Sequence, residues 1–235
     1  MILVSFDIVT QSCRLLSVLS RLLSVFFLLI LDMIQKFHYL TQDLPDSTHQ
    51  ELVQIACENG IRWIQLRVKN KPLEVWLQIA KEVKTICDKY RATLIINDNV
   101  EIAMAVDAHG VHLGKNDMSV AEARTLLGKS KIIGATANTL EDVQQLQDAG
   151  VDYIGLGPYR FTKTKEKLNP VLGIDGYFQI FRFSDFQIPI IAIGGIKLED
   201  VEALMNTGIY GIAVSSAINL ALDRPEAINA FLRLV

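Results

Sequence analysis

The chain has 235 residues, half of them apolar, and 23 Lys+Arg against 26 Asp+Glu give a formal net charge of −3, enough for one domain or at most two. A near-neutral chain with a pI near 5.8 has no field to hold a polyanion, which excludes nucleic acid as a default partner. Fourteen glycines and six prolines exclude the collagen-like and low-complexity classes.

The mean hydropathy of +0.28 is high, and the excess is local. Residues 1–32 hold 21 apolar side chains and four charges, Asp7, Arg14, Arg21 and Asp32, that sum to zero. Their longest uncharged run, LLSVFFLLIL (22–31), has ten residues, where a membrane-spanning helix needs about 20. No A-x-A-like cleavage site follows it, and no secreted-type cysteine framework appears downstream. Three readings stay open: upstream sequence included by a misplaced start, since Met33 directly precedes a strand-like run; a surface or membrane-associated extension; a signal or interaction helix. Cys13, Cys57 and Cys87 are odd in number and lack metal-like spacing, which reads as reduced thiols in a cytoplasmic protein.

From Lys36 onward, short β-branched runs alternate with segments of helical period. The predicted strands are 36–41, 61–67, 93–98, 110–113, 131–136, 151–157, 188–195 and 209–216, eight in all. Between them lie helical stretches such as HQELVQIACENG (49–60), with apolar positions at Leu52, Ile55 and Ala56 and a stop at Gly60. LEDVQQLQDAG (140–150) and LEDVEALMNTG (198–208) echo one another, which points to a series of βα units. Eight such units fit an α/β fold, a (β/α)8 TIM barrel spanning 33–235, with 1–32 as an apolar extension. An open doubly wound sheet competes, but no G-x-G-x-x-G follows the first strand.

In such a barrel the chemistry sits at the C-terminal ends of the strands, and the unusual polar residues fall there. A period of two places Gln65, Arg67 and Lys69 on one side, where two cations suit an anion with several oxygens; surface pairing with carboxylates is the plainer alternative. Asp98 and Asp117 end or follow neighbouring strands, and two carboxylates at one rim repel unless a cation separates them. One or two carboxylates plus substrate phosphates is how Mg²⁺ is usually held. Equally, Asp98 could cap a helix at 99–106 and Asp117 one at 119–127. GPYRFTKTK (157–165) offers two hydroxyls and a lysine as a second oxyanion site. Gly194-Gly195 and Ser215-Ser216 stand where barrels commonly bind a phosphate through loop amides. The histidines form no triad: His38 and His112 read as packed within strands, His49 and His109 as helix-start and turn residues.

QLRVK (65–69), IINDN (95–99), GVHLGKND (110–117), DYIGLGPYRFTKTK (152–165), IIAIGGI (190–196) and VSSAI (214–218) together resemble the strand-end motifs of the thiamine-phosphate synthase family, in that family's order, over about residues 36 to 232. The resemblance implies a Mg²⁺-dependent transferase that joins a hydroxymethylpyrimidine diphosphate to a thiazole phosphate and releases diphosphate. Residue by residue, it implies that Gln65, Arg67, Lys69 and Asn97 hold the pyrimidine diphosphate and that Asp98 and Asp117 hold Mg²⁺. Thr136, where the family usually has serine, would contact the same substrate. Thr162 and Thr164 would contact the thiazole, and Lys165 would reach the diphosphate. Gly195, Ser215 and Ser216 would cradle the thiazole phosphate. Arg67, Lys69 and Lys165 would stabilise the departing group, so no protein nucleophile is needed. Lys115 and Phe161 depart from the family's usual Gln and Pro. The resemblance leaves a homo-oligomer open and requires no membrane. A thiazole tautomerase-like barrel, or a non-catalytic barrel that binds thiamine precursors, would share the phosphate site, but the tautomerase would lack the paired aspartates and the Arg/Lys grip.

Overall fold

The computed structural model of the protein describes residues 34–161, 171–182 and 186–235. Residues 1–32 therefore lie outside the described residues, as do Thr162, Thr164 and Lys165. Gln35–Val235 forms one compact unit, and among the described residues no helix is long and apolar enough to cross a membrane.

Eight parallel strands close into a barrel in sequential order: β1 (Phe37–Leu40), β2 (Trp63–Leu66), β3 (Thr93–Asn97), β4 (Gly110–Leu113), β5 (Ile132–Ala137), β6 (Tyr153–Leu156), β7 (Ile190–Ile193) and β8 (Gly211–Val214). All eight predicted runs are strands: the 110–113 run is matched at both ends, the 131–136 run is shifted by one residue to 132–137, and the other six are shortened. Closure is made by β1 on β8, with Phe37 opposite Ile212 and Tyr39 opposite Val214. The described helices are α1 (His49–Glu58), α2 (Leu73–Tyr90), α3 (Val100–Ala105), α4 (Val120–Leu127), α5 (Leu140–Asp148), α6 (Gly173–Phe181), α7 (Val201–Met205), α8 (Ser216–Asn219) and α9 (Arg224–Leu232). α7 is preceded by a 3₁₀ turn, Leu198–Asp200, so the second member of the LED echo is a broken helix whereas the first is continuous.

Strands in a parallel barrel are buried on both faces, which is why they read as unbroken apolar runs. Outward-facing Tyr39, Ile64, Leu66, Leu94, Ile96 and Val111 join the helices in the main core. Inside the barrel the filling is aromatic and polar. His38 stacks on Trp63 with centroids 4.3 Å apart, and Tyr153 meets both edge-on. Space for Tyr153 comes from Gly134, its partner across the β5–β6 ladder, where a Cβ would stand 2.1 Å from the Tyr153 ring. Large and small residues thus alternate across facing positions, as close packing requires.

Helix starts settle the choice left open for the two aspartates. α3 is capped by Asn99, whose side chain accepts from the Ile102 N–H. α4 is capped by Ser119 in a reciprocal capping box with Glu122. Neither Asp98 nor Asp117 is an N-cap, so both carboxylates are left to the rim.

Candidate active site

Asp98 follows β3 and holds φ +66°, a left-handed conformation that Asp and Asn tolerate better than other side chains. Its N–H donates to the His112 carbonyl at 2.8 Å, which continues the β3–β4 ladder one step and fixes the carboxylate at the barrel mouth. Asp117 reaches the same place from the turn after β4: its Oδ2 accepts from the Gly114 N–H at 2.6 Å. The two carboxyls are close enough to interact. Burial pushes the Asp117 carboxyl above its usual range, the Gly114 N–H opposes this, and the charge and hydrogen bond of Asp98 push it further up.

Cations gather on the same spot. The Lys69 ammonium is ion-paired with the Asp98 carboxylate. Arg67 is half-buried; burial lowers its guanidinium from the usual value, and the charges of Asp98 and Asp43 oppose that. β2 ends at Leu66, so the predicted period-two alternation does not carry to Lys69. Arg67 and Lys69 belong instead to a loop held by the rim of β1, where Thr41 Oγ1 accepts from the Arg67 N–H at 3.0 Å and Asp43 Oδ2 accepts from the Lys69 N–H at 2.9 Å. Buried His49 braces both, with Nδ1 2.9 Å from Thr41 Oγ1 and Nε2 3.3 Å from Asp43 Oδ1. A cleft of about 320 Å³ opens here, lined by Lys69, Lys71, Trp76, Asp98 and Asp117 among others.

Deeper in the mouth, Gln65 and Asn97 are buried at the ends of β2 and β3. Tyr153 links several of these residues. Burial raises its phenol well above the usual value against a hydrogen bond from Gln65, and its hydroxyl lies 3.0 Å from His112 Nδ1. The other ring nitrogen, Nε2, lies 3.1 Å from Thr136 Oγ1. Gln65, His112, Tyr153 and Thr136 are therefore one network on the barrel axis, and His112 is a packed, hydrogen-bonded strand residue.

Further round the same rim, after β7, Gly194 and Gly195 hold φ +101° and +70°, which only glycine adopts without strain. Ser215 and Ser216 follow β8 at the start of α8, with both hydroxyls on Gln42 Oε1, at 3.4 and 3.3 Å. Buried Asn219 fixes Ser215 by donating to its Oγ at 3.1 Å and to the Leu40 carbonyl at 2.9 Å, and it accepts from the Tyr39 hydroxyl. Lys115 is committed to Asp142 at 2.6 Å, and Phe161 is exposed. Thr41, Gln42, Asp43, Arg160 and Asn219 were not singled out from sequence. TQD (41–43) at the end of the first strand was the available signal, since every other strand end was read for polar residues.

A closed parallel barrel with its cations, carboxylates and paired glycines on the strand-end rim is the arrangement of a (β/α)8 enzyme. Residues 39–218 match the family described as thiamine monophosphate synthase, and the chain belongs to that family. It is 51% identical over 189 residues to the thiamine-phosphate synthase of Flavobacterium psychrophilum, covering 79% of this chain and 92% of that one. With the thiamine-phosphate synthase of Bacteroides fragilis it shares 45% over 199 residues, 83% of this chain and 98% of the other. The solved structure of thiamine phosphate pyrophosphorylase from Pyrococcus furiosus superimposes with a TM-score of 0.75 at 33% identity, over 85% of this chain and 94% of that one.

Proposed function

We propose that this chain is a thiamine-phosphate synthase that joins 4-amino-2-methyl-5-(diphosphooxymethyl)pyrimidine to 4-methyl-5-(2-phosphooxyethyl)thiazole, releasing diphosphate. The observation that carries this reading is the Asp98–Asp117 carboxyl pair with Lys69 on one member and Arg67 beside it. Among the described residues no cluster of three or more His, Cys, Asp or Glu is poised for a metal. Two carboxylates are nonetheless what a Mg²⁺ site needs when the remaining ligands are water and phosphate oxygens. Burial first, and then the neighbouring Asp98, raise the Asp117 carboxyl, an effect that a cation held between the two would oppose. Asp98 and Asp117 would hold Mg²⁺, which when bound supplies positive charge against the diphosphate oxygens.

The remaining work falls to the chain's own groups. Gln65 and Thr136, locked by the axial network, and buried Asn97 bind and orient the pyrimidine. Arg67 and Lys69, with Lys165, take the diphosphate. As the C–O bond breaks, its electron pair leaves with the diphosphate, and these cations stabilise the charge gathering there. The thiazole nitrogen then donates its lone pair to the pyrimidinylmethyl carbocation, forming the C–N bond without a protein nucleophile. Thr162 and Thr164 contact the thiazole, while amides of Gly195, Ser215 and Ser216 hold its phosphate. Placing the two reactants face to face is worth on the order of 7–11 kcal/mol of barrier.

A direct test mixes the two substrates with the protein, with and without Mg²⁺, and follows diphosphate and thiamine phosphate. Equal, Mg²⁺-dependent formation of both supports the reading; a rearranged thiazole phosphate without diphosphate release overturns it in favour of a tautomerase.

A further inference from the structure

The paired glycines after β7 are held by two backbone bonds and one side chain from the loop after β6. Beyond the end of the ladder, the Tyr159 N–H donates to the Ile193 carbonyl at 2.9 Å and the Arg160 N–H to the Gly194 carbonyl at 2.8 Å. The Arg160 guanidinium then donates to the next carbonyl, Gly195, at 3.0 Å. Three successive carbonyls therefore face the loop after β6. Carbonyls along an extended strand alternate in direction; the positive φ of Gly194 and Gly195 breaks that alternation. Across a planar trans peptide the following N–H points opposite to the carbonyl. The N–H groups of Gly195 and Ile196 must then face away from Arg160, toward the side of β7 on which β8 and Ser215-Ser216 lie. Successive amides turned to one side form a concavity for an anion.

Arg160 is itself held. Its two terminal nitrogens grip the Asp200 carboxylate at 2.7 and 2.8 Å, and Asp200 is buried, with 7% of its side chain exposed. Asp200 also accepts from the Lys197 N–H at 2.8 Å and the Tyr159 hydroxyl at 3.3 Å. Burial pushes the Asp200 carboxyl up, but Arg160 and the Lys197 N–H more than offset this and hold it below its usual range. The fit at Gly195 is tight, since a Cβ there would stand 3.1 Å from Arg160 Cβ and from the Phe161 carbonyl oxygen. The same device occurs elsewhere in the barrel. Asp142 and Asp200 are the third residues of the two LED echoes, and each takes a cation from the loop of the preceding strand, Lys115 for Asp142 and Arg160 for Asp200. At Asp142 the cation stops at the carboxylate. At Asp200 the guanidinium fork reaches on to a carbonyl of the glycine turn.

We propose that Arg160, braced by Asp200, is a positioning residue for the thiazole phosphate: its guanidinium fixes the Gly195–Ile196 peptide so that the Ile196 amide faces the phosphate, beside the Gly195 amide that the backbone bond to the Gly194 carbonyl already turns. This rests on the function proposed above and goes beyond it by assigning phosphate recognition to a side chain that does not touch the substrate. Arg160→Met removes the fork and keeps a linear side chain, Arg160→Lys keeps one donor, and Asp200→Asn weakens the brace while leaving the carbonyl contact. The expected result for Arg160→Met is a KM for thiazole phosphate raised about tenfold, about 1.4 kcal/mol. Its KM for the pyrimidine diphosphate is unchanged, and kcat at saturation stays within about twofold, the signature of lost uniform binding. Arg160→Lys and Asp200→Asn fall between it and the wild type. An unchanged thiazole phosphate KM in Arg160→Met overturns the proposal, and so does an equal rise in both KM values, which is what general loosening of the loop would give. Binding of inorganic phosphate, compared between wild type and Arg160→Met by calorimetry, separates the two claims. Were the wild type to make no thiamine phosphate, the proposed function would fall, while weaker phosphate binding in the variant would still support the clasp and equal binding would refute it.

Discussion

Acid should weaken this barrel, and one buried histidine carries a separable share of the loss. His38 is 1% exposed, its ring stacked on Trp63 at 4.3 Å and 17°. Its Nε2 lies 2.8 Å from the Gln35 carbonyl oxygen; a carbonyl only accepts, so Nε2 carries the proton and Nδ1 is the unprotonated nitrogen. Burial lowers its pKa from an ordinary 6.5 to about 3; the Gln35 carbonyl opposes the shift, and the nearby His112 adds to it. The folded pKa is the depressed one, so the unfolded chain takes up the proton first as pH falls. Stability is complete above pH 6.5, erodes by about 1.4 kcal/mol per unit below it, and stops eroding near pH 3. Between pH 7 and pH 5 the loss from this residue is about 2 kcal/mol. The other titratable groups, among them His49 and His109, whose pKa values burial also lowers, are common to both proteins being compared. Urea denaturation of wild type and His38→Gln at pH 7, 6 and 5 measures the difference. The variant starts less stable at pH 7, having lost a stacked ring, but should lose about 2 kcal/mol less on acidification. Parallel losses in the two proteins would refute the assignment of a buried neutral imidazole.

Three further outcomes follow from the site. Asp98→Asn and Asp117→Asn should each lower diphosphate release at least a hundredfold with the fold kept by circular dichroism; Asn suits the φ of +66° at position 98, so wild-type turnover in both would remove the metal from the account. Ser216→Pro deletes an amide at the first position of α8, where proline fits, whereas Ser215, at φ −127°, would have to rotate; thiazole phosphate binding should weaken about tenfold for Ser216→Pro, and unchanged binding by calorimetry would argue against that amide. Removing residues 1–32 should leave kcat and both KM values unchanged, and a folded but inactive truncation would give the apolar extension a role.

The barrel was legible because its strands are buried on both faces and so stand out as short β-branched runs between helical stretches ended by glycine. The rim was legible because cations, carboxylates and paired glycines are rare at strand ends without a use. What escaped was long-range partnership. A sequence shows that Arg160 and Asp200 exist, but not that a fork at position 160 closes on a carboxylate 40 residues on. Thr41 and Asp43 support Arg67 and Lys69 only because β1 lies beside β2. The capping alternative for Asp98 and Asp117 failed by one and two residues, since Asn99 and Ser119 are equally good caps and lie closer to the helices. The LED echo was real in sequence, yet the second copy breaks into a 3₁₀ turn, its aspartate drawn toward Lys197 and Arg160.

The most direct test of the central claim is single-turnover mixing of the pyrimidine diphosphate and the thiazole phosphate with a stoichiometric amount of the protein, in Mg²⁺ and again in excess chelator. One equivalent each of diphosphate and thiamine phosphate, formed together and only with Mg²⁺, is the predicted result; thiamine phosphate formed at the same rate in chelator, or diphosphate released without it, would contradict the account.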